Sequence, residues 1–159
     1  MFKTINLRKL ISSLVLTLGG GFLVGILSGG MDGIYQSLNT PPLSPPGAVF
    51  GIVWTILYII MGIALYRIRI LPDSKDKSAA ISFFGLQLAA NFIWPLLFFA
   101  MRLFCFSAVW LGILLILVSV TVIYFFRLDK ISAILMIPYL LWCVFALYLN
   151  TGVCVLGLQ

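Results

Sequence analysis

The sequence contains no histidine and no glutamate, and its only acidic residues are four aspartates. Without histidine, neither a Ser-His-Asp triad nor a histidine-ligated metal site can be built. Without glutamate, a buried glutamate pair for proton transfer is also excluded. Charged residues of both signs make up only 9% of the chain, whereas soluble domains have about a quarter. We therefore expect no catalytic residues, no metal site and no soluble globular domain.

Cysteine is also scarce. Cys105, Cys143 and Cys154 are far apart within apolar stretches, and none has the CxxC spacing of redox and metal motifs. We interpret all three as small apolar side chains buried in the protein.

Apolar residues, in contrast, make up 63% of the 159 residues. Because a helix needs roughly 20 mostly apolar residues to cross a bilayer, this composition predicts about five membrane spans and little else. Lipid offers no hydrogen-bond partners, so each span must be helical. We predict an all-α polytopic membrane protein, with residues 1–159 forming one domain, a bundle of five transmembrane helices. The predicted spans cover residues 10–28, 48–66, 79–100, 103–126 and 131–151.

Basic residues lie almost entirely at one end of this predicted bundle. Nine of the ten are at the N-terminus or in the second and fourth loops, and Arg102 alone is at the other end. Such an excess is typical of cytoplasmic loops. We predict a cell-membrane protein with its N-terminus in the cytoplasm and its first loop and C-terminus outside. The net charge of +6 then reflects orientation, and we expect no nucleic-acid partner. The nine residues are Lys3, Arg8, Lys9, Arg67, Arg69, Lys75, Lys77, Arg127 and Lys130.

The first loop, residues 29–47, contains four prolines within six residues, at positions 41, 42, 45 and 46. Proline excludes regular helix here and stiffens the chain. Two interpretations stay open: a rigid connector, or a lid over a cavity.

Gly21, Gly25 and Gly29 recur every four residues in and just after the first span. Such a stripe of small residues lets another helix approach closely. We interpret it as a packing seam, either within one chain or between two.

Three spans carry aromatic and amide side chains at helical spacing, so that each set shares one face. Their tryptophans lie well inside the runs, which does not fit an interfacial aromatic belt. Packing between helices explains the sets, and so does a pocket for a flat ligand. The amides must find partners in the bundle interior. Pro95 and Pro138 interrupt the helical hydrogen bonds nearby. The faces are Phe50, Trp54, Tyr58 and Met61; Gln87, Asn91, Trp94 and Phe98; and Pro138, Tyr139, Trp142, Ala146 and Asn150.

Four segments together resemble the translocator protein/tryptophan-rich sensory protein (TspO/MBR) family. They are a loop with a tyrosine that ends in PPLSPP, then FGIVWTILYIIMGIA, QLAANFIWPLLFF and PYLLWCVFALYLN. The resemblance implies a five-helix membrane bundle, commonly a homodimer, with a cavity beneath the first loop. It implies binding of porphyrins such as protoporphyrin IX, or of drug-like hydrophobic molecules, and no other cofactor.

Residue patterns and resemblance together give two sets of candidate residues. One set is expected to bind the ligand, and the other to pack the helices or to support the structure. The ligand-binding set is Tyr35, Phe50, Trp54, Tyr58, Asn91, Trp94, Trp142 and Ala146. The structural set is Gly21, Gly25, Gly29, Gln87, Pro138, Tyr139 and Asn150.

The sequence also departs from the family pattern. Ile34 and Leu43 stand where the first loop usually has tryptophan, which argues against the light-dependent porphyrin degradation proposed for some members. No basic residue follows Lys130, so the family's sterol-binding motif is missing. We predict a membrane-embedded binding protein for flat hydrophobic ligands, sensory or regulatory in role. A tetrapyrrole transporter and a photo-oxidising enzyme are the alternatives, although no span contains the buried charge typical of ion-coupled transporters.

Overall fold

The structure, a computed structural model, describes residues 5–29 and 37–157. Within these ranges the regular elements are helices, and five of them are long and apolar enough to cross a membrane. The predicted all-α class with five membrane-spanning helices is therefore confirmed. The helices overlap the predicted spans, and the last one runs on to Gly157. They are α1 (Leu7–Leu27), α2 (Gly47–Arg69), α3 (Lys75–Ala100), α4 (Phe104–Leu128) and α5 (Lys130–Gly157).

Polar side chains mark where several helices begin. Asn6 accepts a hydrogen bond from the backbone N–H of Lys9 (3.1 Å), and Ser74 accepts one from that of Lys77 (3.1 Å). Each side chain satisfies a backbone donor that the first helical turn leaves free. Between α4 and α5 a single residue, Asp129, makes the turn and accepts from the backbone N–H of Ser132. The two helices therefore run antiparallel as a tight hairpin.

The α4–α5 hairpin is the most extensive helix contact of the bundle. On its other sides α5 packs against α2, and α4 packs against α3. The N-terminal helix α1 lies on α2 and touches α3 with its second half. The core between these helices contains completely buried side chains from four of them, such as Met61, Phe84, Val118 and Tyr139.

Two helices contain a π-helical turn, in which the chain gains one residue relative to an α-helix. In α3 this turn spans Leu96–Ala100, directly after Pro95. A proline donates no backbone hydrogen bond and distorts the preceding turn, as the sequence led us to expect. The extra residue turns two consecutive side chains, Phe98 and Phe99, into the core, where they are 4% and 3% exposed.

The interpretation of the cysteines is wrong for two of the three. Cys105 and Cys154 form a disulfide, with their Cα atoms 4.8 Å apart, whereas Cys143 is a free, buried thiol. The pairing follows from the hairpin. Cys105 and Cys154 are nearly equidistant along the chain from the turn at Asp129, so antiparallel helices bring them side by side. Cys105 is also exposed at the start of α4 rather than buried.

The glycine stripe has a close neighbour at one of its three positions. A Cβ atom on Gly21 would overlap the ring of Tyr58 from α2, so glycine is required for this approach. A Cβ atom on Gly25 or Gly29 would meet nothing within 4 Å among the described residues. Within the described chain, the seam between α1 and α2 thus runs through Gly21 and Gly62, where Thr17 also packs.

Eight of the nine described basic residues lie at the end of the bundle where α1 begins, and Arg102 lies at the other end. Arg67 donates two hydrogen bonds to the carboxylate of Asp129, at 2.7 and 3.0 Å. These bonds, with smaller contributions from Ser132, lower the pKa of Asp129 to about 2 despite an opposing effect of burial. The pair ties α2 to the turn of the α4–α5 hairpin.

Candidate functional site

A chain of buried hydrogen bonds joins α2, α3 and α5 in the bundle interior. Tyr58 Oη donates to Asn91 Oδ1 (2.6 Å), and Asn91 Nδ2 donates to Tyr139 Oη (3.1 Å). Tyr139 Oη in turn donates to Gln87 Oε1 (2.8 Å). All four side chains are buried, and the most exposed of them, Tyr58, is 8% exposed. The chain satisfies polar groups that would otherwise be unpaired in an apolar interior, and it fixes the relative positions of three helices.

Two tryptophans lie next to this chain and face the interior. The ring of Trp54 stacks on Tyr58, with centroids 5.5 Å apart, and lies 6.2 Å from Tyr139 and 6.5 Å from Trp94. Trp54 and Trp94 are only 8% and 7% exposed. An interfacial belt is therefore excluded for both residues, as the sequence analysis expected.

A second polar cluster surrounds Asn150 near the opposite end from the basic loops. Asn150 Oδ1 accepts from Trp94 Nε1 (2.9 Å) and from Ser107 Oγ (3.0 Å). Its Nδ2 donates to the carbonyl of Phe104 (2.7 Å). Phe104 precedes Cys105, and Cys154 follows Asn150 by one helical turn. The disulfide is therefore next to the residues that orient the indole of Trp94.

A small cavity lies between α3, α5 and the loop segment before α2. Its volume is about 20 Å³, which is room for about one water molecule. Pockets for drug-sized ligands have about 300–1,000 Å³. The aromatic side chains and the loop thus fill most of the space that the sequence analysis placed between the second, third and fifth helices. The lining residues are Thr40, Pro41, Ser44, Phe50, Trp94, Phe98, Phe99, Ala146, Leu149, Asn150 and Val153.

The loop segment closes the outer side of this cavity through contacts with α5. Pro41 is buried, and its ring packs so closely on Gly152 that a Cβ atom there would overlap it. Tyr148 Oη donates to the carbonyl of Pro42 (2.8 Å). Ser44 Oγ donates to the carbonyl of Pro41 (2.6 Å) and tightens the turn. Access to the cavity from this side therefore requires the proline-rich segment to move away from α5.

Two buried donors near the aromatic cluster have no hydrogen-bond partner among the described residues. They are Gln87 Nε2 and Trp142 Nε1. Unpaired buried donors are rare because each costs about 1–3 kcal/mol. Both atoms could donate to an acceptor that enters the site.

The structure brings the described ligand-binding residues into two groups and leaves Trp142 apart. Phe50, Trp94 and Ala146 line the cavity, together with Asn150, which we had assigned to the structural set. Trp142 is half-buried against Phe50 and Phe145, with centroids 5.8 and 5.4 Å apart, and does not line the cavity. Tyr35 lies outside the described residues. Tyr58 and Asn91 belong to the adjoining chain of hydrogen bonds, and Trp54 stacks on Tyr58. Gln87 and Tyr139, from the structural set, belong to the same chain. Pro138 directly precedes Tyr139 within α5, which is continuous there.

Several lining residues were missed by sequence reasoning. Phe98 is on the predicted face of Asn91 and Trp94, but it was not assigned to the ligand-binding set, although it lines the cavity. Phe99 reaches the cavity because of the π-helical turn, which ordinary helical spacing does not predict. Val153 lies seven residues after Ala146, two turns further along α5, and could have been found by extending that face.

Comparison with known proteins gives a consistent result. The sequence model of the TspO/MBR family matches residues 13–156. A tryptophan-rich sensory protein from Cereibacter sphaeroides is 35% identical over 119 residues, which cover 75% of this chain and 73% of the relative. The tryptophan-rich protein TspO of Archaeoglobus fulgidus is 33% identical over 153 residues, covering 96% and 99%. The translocator protein of Bos taurus is 33% identical over 135 residues, covering 82% and 79%.

Proposed function

This chain belongs to the TspO/MBR family of multi-pass membrane proteins, and we propose that it binds a flat hydrophobic ligand of the porphyrin type. The proposed site is the cavity beneath the proline-rich loop, extended into the aromatic cluster around Trp54. The observation that carries the proposal is the pair of inward-facing indoles, Trp54 and Trp94, at a small cavity within an apolar bundle.

The chemistry of this interior suits such a ligand. Aromatic side chains bury about 150–250 Å² each, and their rings offer flat apolar faces for stacking. The free donors of Gln87 and Trp142 would pair with carboxylates or carbonyls at the edge of a ligand. Few polar groups among many aromatic ones is the usual composition of small-molecule sites.

Binding requires the site to open, because a porphyrin cannot enter a cavity of about 20 Å³. Two movable parts border the cavity. One is the segment from Thr40 to Ser44, which rests on α5 through Pro41 and the Tyr148 hydrogen bond. The other is the set of aromatic side chains, whose rotation would merge the cavity with the space around Trp54. We therefore assign the role of a lid to this segment of the first loop.

Titration of purified protein in detergent with protoporphyrin IX tests the proposal. The readout is the porphyrin absorbance band, which does not depend on the protein's tryptophans. Ala146→Leu adds bulk to the cavity wall, and we expect it to weaken binding at least tenfold. Ala89→Leu makes the same change on an exposed position of α3 and serves as the matched control. Equal affinity of the two variants would place the ligand elsewhere.

We also infer that the end of the bundle bearing the basic residues faces the cytoplasm. The asymmetry of eight described basic residues against one supports this orientation. The disulfide supports it independently, since it lies at the opposite end and disulfides persist in oxidising compartments outside the cytoplasm. A membrane-impermeant thiol reagent added to intact cells after reduction should label Cys105. Labelling only after the cells are broken would reverse the orientation.

Transport of the same ligand is the alternative function. Porphyrin flux into proteoliposomes, measured with and without an ion gradient, separates transport from binding alone. Light-dependent loss of porphyrin in proportion to protein concentration would instead favour an enzyme.

A further inference from the structure

A polar cleft lies at the basic end of the bundle, far from the aromatic site. It has a volume of about 480 Å³ and is bordered by the start of α1 and the last turn of α2. Its lining contains three cations and two neutral polar side chains, and no carboxylate. The lining residues are Asn6, Arg8, Lys9, Ser12 and Arg69.

Two of the three cations are held in place by hydrogen bonds between the helices. Arg69 Nη1 donates to Ser12 Oγ (2.7 Å) and to Ser13 Oγ (3.0 Å). Lys9 Nζ donates to the carbonyl of Arg69 (2.9 Å). Both side chains are part-buried and fixed before any ligand arrives, so little ordering is needed on binding. Arg8 is exposed and has no hydrogen-bond partner among the described residues.

The positive charge of this cleft is not neutralised by the lining. Among the three described aspartates, Asp129 pairs with Arg67, and Asp73 pairs with Lys77 and interacts more weakly with Lys9. The start of α1 adds its backbone N–H groups and the positive end of the helix dipole at the same place. An anion with several oxygen acceptors, such as a phosphate group, fits this set of donors.

The surface of α1 below the cleft is apolar and exposed. Val15, Leu16 and Leu23 follow Ser12 along one side of the helix and are 64%, 50% and 56% exposed. A free anion would gain nothing from this surface, whereas the acyl chains of a phospholipid would lie along it. We propose that the cleft binds the phosphate of an anionic phospholipid whose chains lie along α1. Basic pockets between transmembrane helices are known to select such headgroups.

Native mass spectrometry of the full-length protein in a non-ionic detergent tests the proposal. The probes are phosphatidylglycerol, phosphatidylcholine and glycerol phosphate, each titrated separately. We expect phosphatidylglycerol to be retained more tightly than phosphatidylcholine. Arg8→Gln should weaken phosphatidylglycerol about fivefold, equivalent to about 1 kcal/mol for one basic residue. Arg127→Gln removes the same charge from an exposed site at the same end and should leave the affinity unchanged.

A second variant places a carboxylate where the phosphate is expected. Ser12→Asp, at an exposed position, should remove the preference for phosphatidylglycerol over phosphatidylcholine. Equal losses in Arg8→Gln and Arg127→Gln would overturn the proposal, because they would indicate general surface attraction. Glycerol phosphate binding as tightly as phosphatidylglycerol would also overturn it and would indicate a site for a soluble anion.

Discussion

Asn91 is the residue at which the stability of the bundle interior can be tested most directly. Replacing it with leucine introduces an apolar side chain of similar size and removes the amide that joins Tyr58 to Tyr139. Tyr139 keeps Gln87 as its acceptor. Tyr58 loses its acceptor while remaining buried. The variant therefore breaks two interhelical hydrogen bonds and leaves one hydroxyl unpaired.

The size of the effect follows from these two consequences. Interhelical hydrogen bonds in membrane proteins contribute about 0.6 kcal/mol each on average, so losing two costs about 1.2 kcal/mol. An unpaired buried hydroxyl adds about 1–3 kcal/mol. We expect Asn91→Leu to lower the free energy of unfolding by about 2–4 kcal/mol. Far-UV circular dichroism during unfolding in mixed micelles with increasing SDS measures it.

A double-mutant cycle with Tyr58→Phe isolates the hydrogen bond itself. In the Tyr58→Phe background no hydroxyl is left unpaired, so Asn91→Leu should cost at least 1 kcal/mol less than it does in the wild type. Ser119→Ala, whose hydroxyl bonds the carbonyl of Leu115 within α4, should change the stability by less than about 0.5 kcal/mol. Additive effects at positions 58 and 91 would refute the assignment of this hydrogen bond as a link between helices.

Three further predictions concern the ends of the bundle. Cys105→Ser removes the α4–α5 disulfide and should destabilise the protein by about 2–4 kcal/mol, an effect that reductant reproduces in the wild type and not in the variant. The Arg67 bond to Asp129 stabilises the protein fully above about pH 4 and is lost as the pH falls towards the folded-state pKa of about 2. Asp129→Asn should therefore lower the melting temperature at pH 7, and the melting temperature of the variant should fall less between pH 4 and pH 2 than that of the wild type. An equal fall in both proteins would contradict the stabilising role of the Arg67–Asp129 pair. Gly152→Ala should push Pro41 away from α5 and raise the porphyrin association rate measured by stopped flow, whereas an unchanged rate would argue against entry beneath this segment.

Hydropathy was sufficient to predict the five helices. A chain segment in lipid must form all its backbone hydrogen bonds internally, so an uncharged apolar run of about 20 residues predicts a membrane-spanning helix. Helical spacing put Phe50, Trp94 and Ala146 on the predicted faces of three different helices, and all three line the cavity. It could not place Phe99, because a π-helical turn shifts the register after Pro95. The position of Trp142, against Phe50 but not in the cavity lining, depends on how side chains of several helices share one space.

The disulfide was missed for a different reason. Each cysteine was judged by its own surroundings in the sequence, and Cys105 and Cys154 both lie among apolar residues. Their pairing depends on the register of two helices, which the one-residue turn at Asp129 sets. Once the turn is known, equal distances from it predict the contact. Helical spacing cannot predict the volume of the cavity either, because this volume is the space that remains after the aromatic rings have packed.

The α4–α5 hairpin is fastened at both of its ends, by the Asp129 turn with its arginine pair and by the disulfide about 24 residues away. A helix pair held in this way moves as one rigid unit. The opening that admits a ligand of porphyrin size must then come from the opposite wall, where no disulfide joins α2, α3 and the proline-rich segment among the described residues. Engineered disulfides between α2 and α5 should consequently block ligand uptake, whereas the natural disulfide between α4 and α5 permits it.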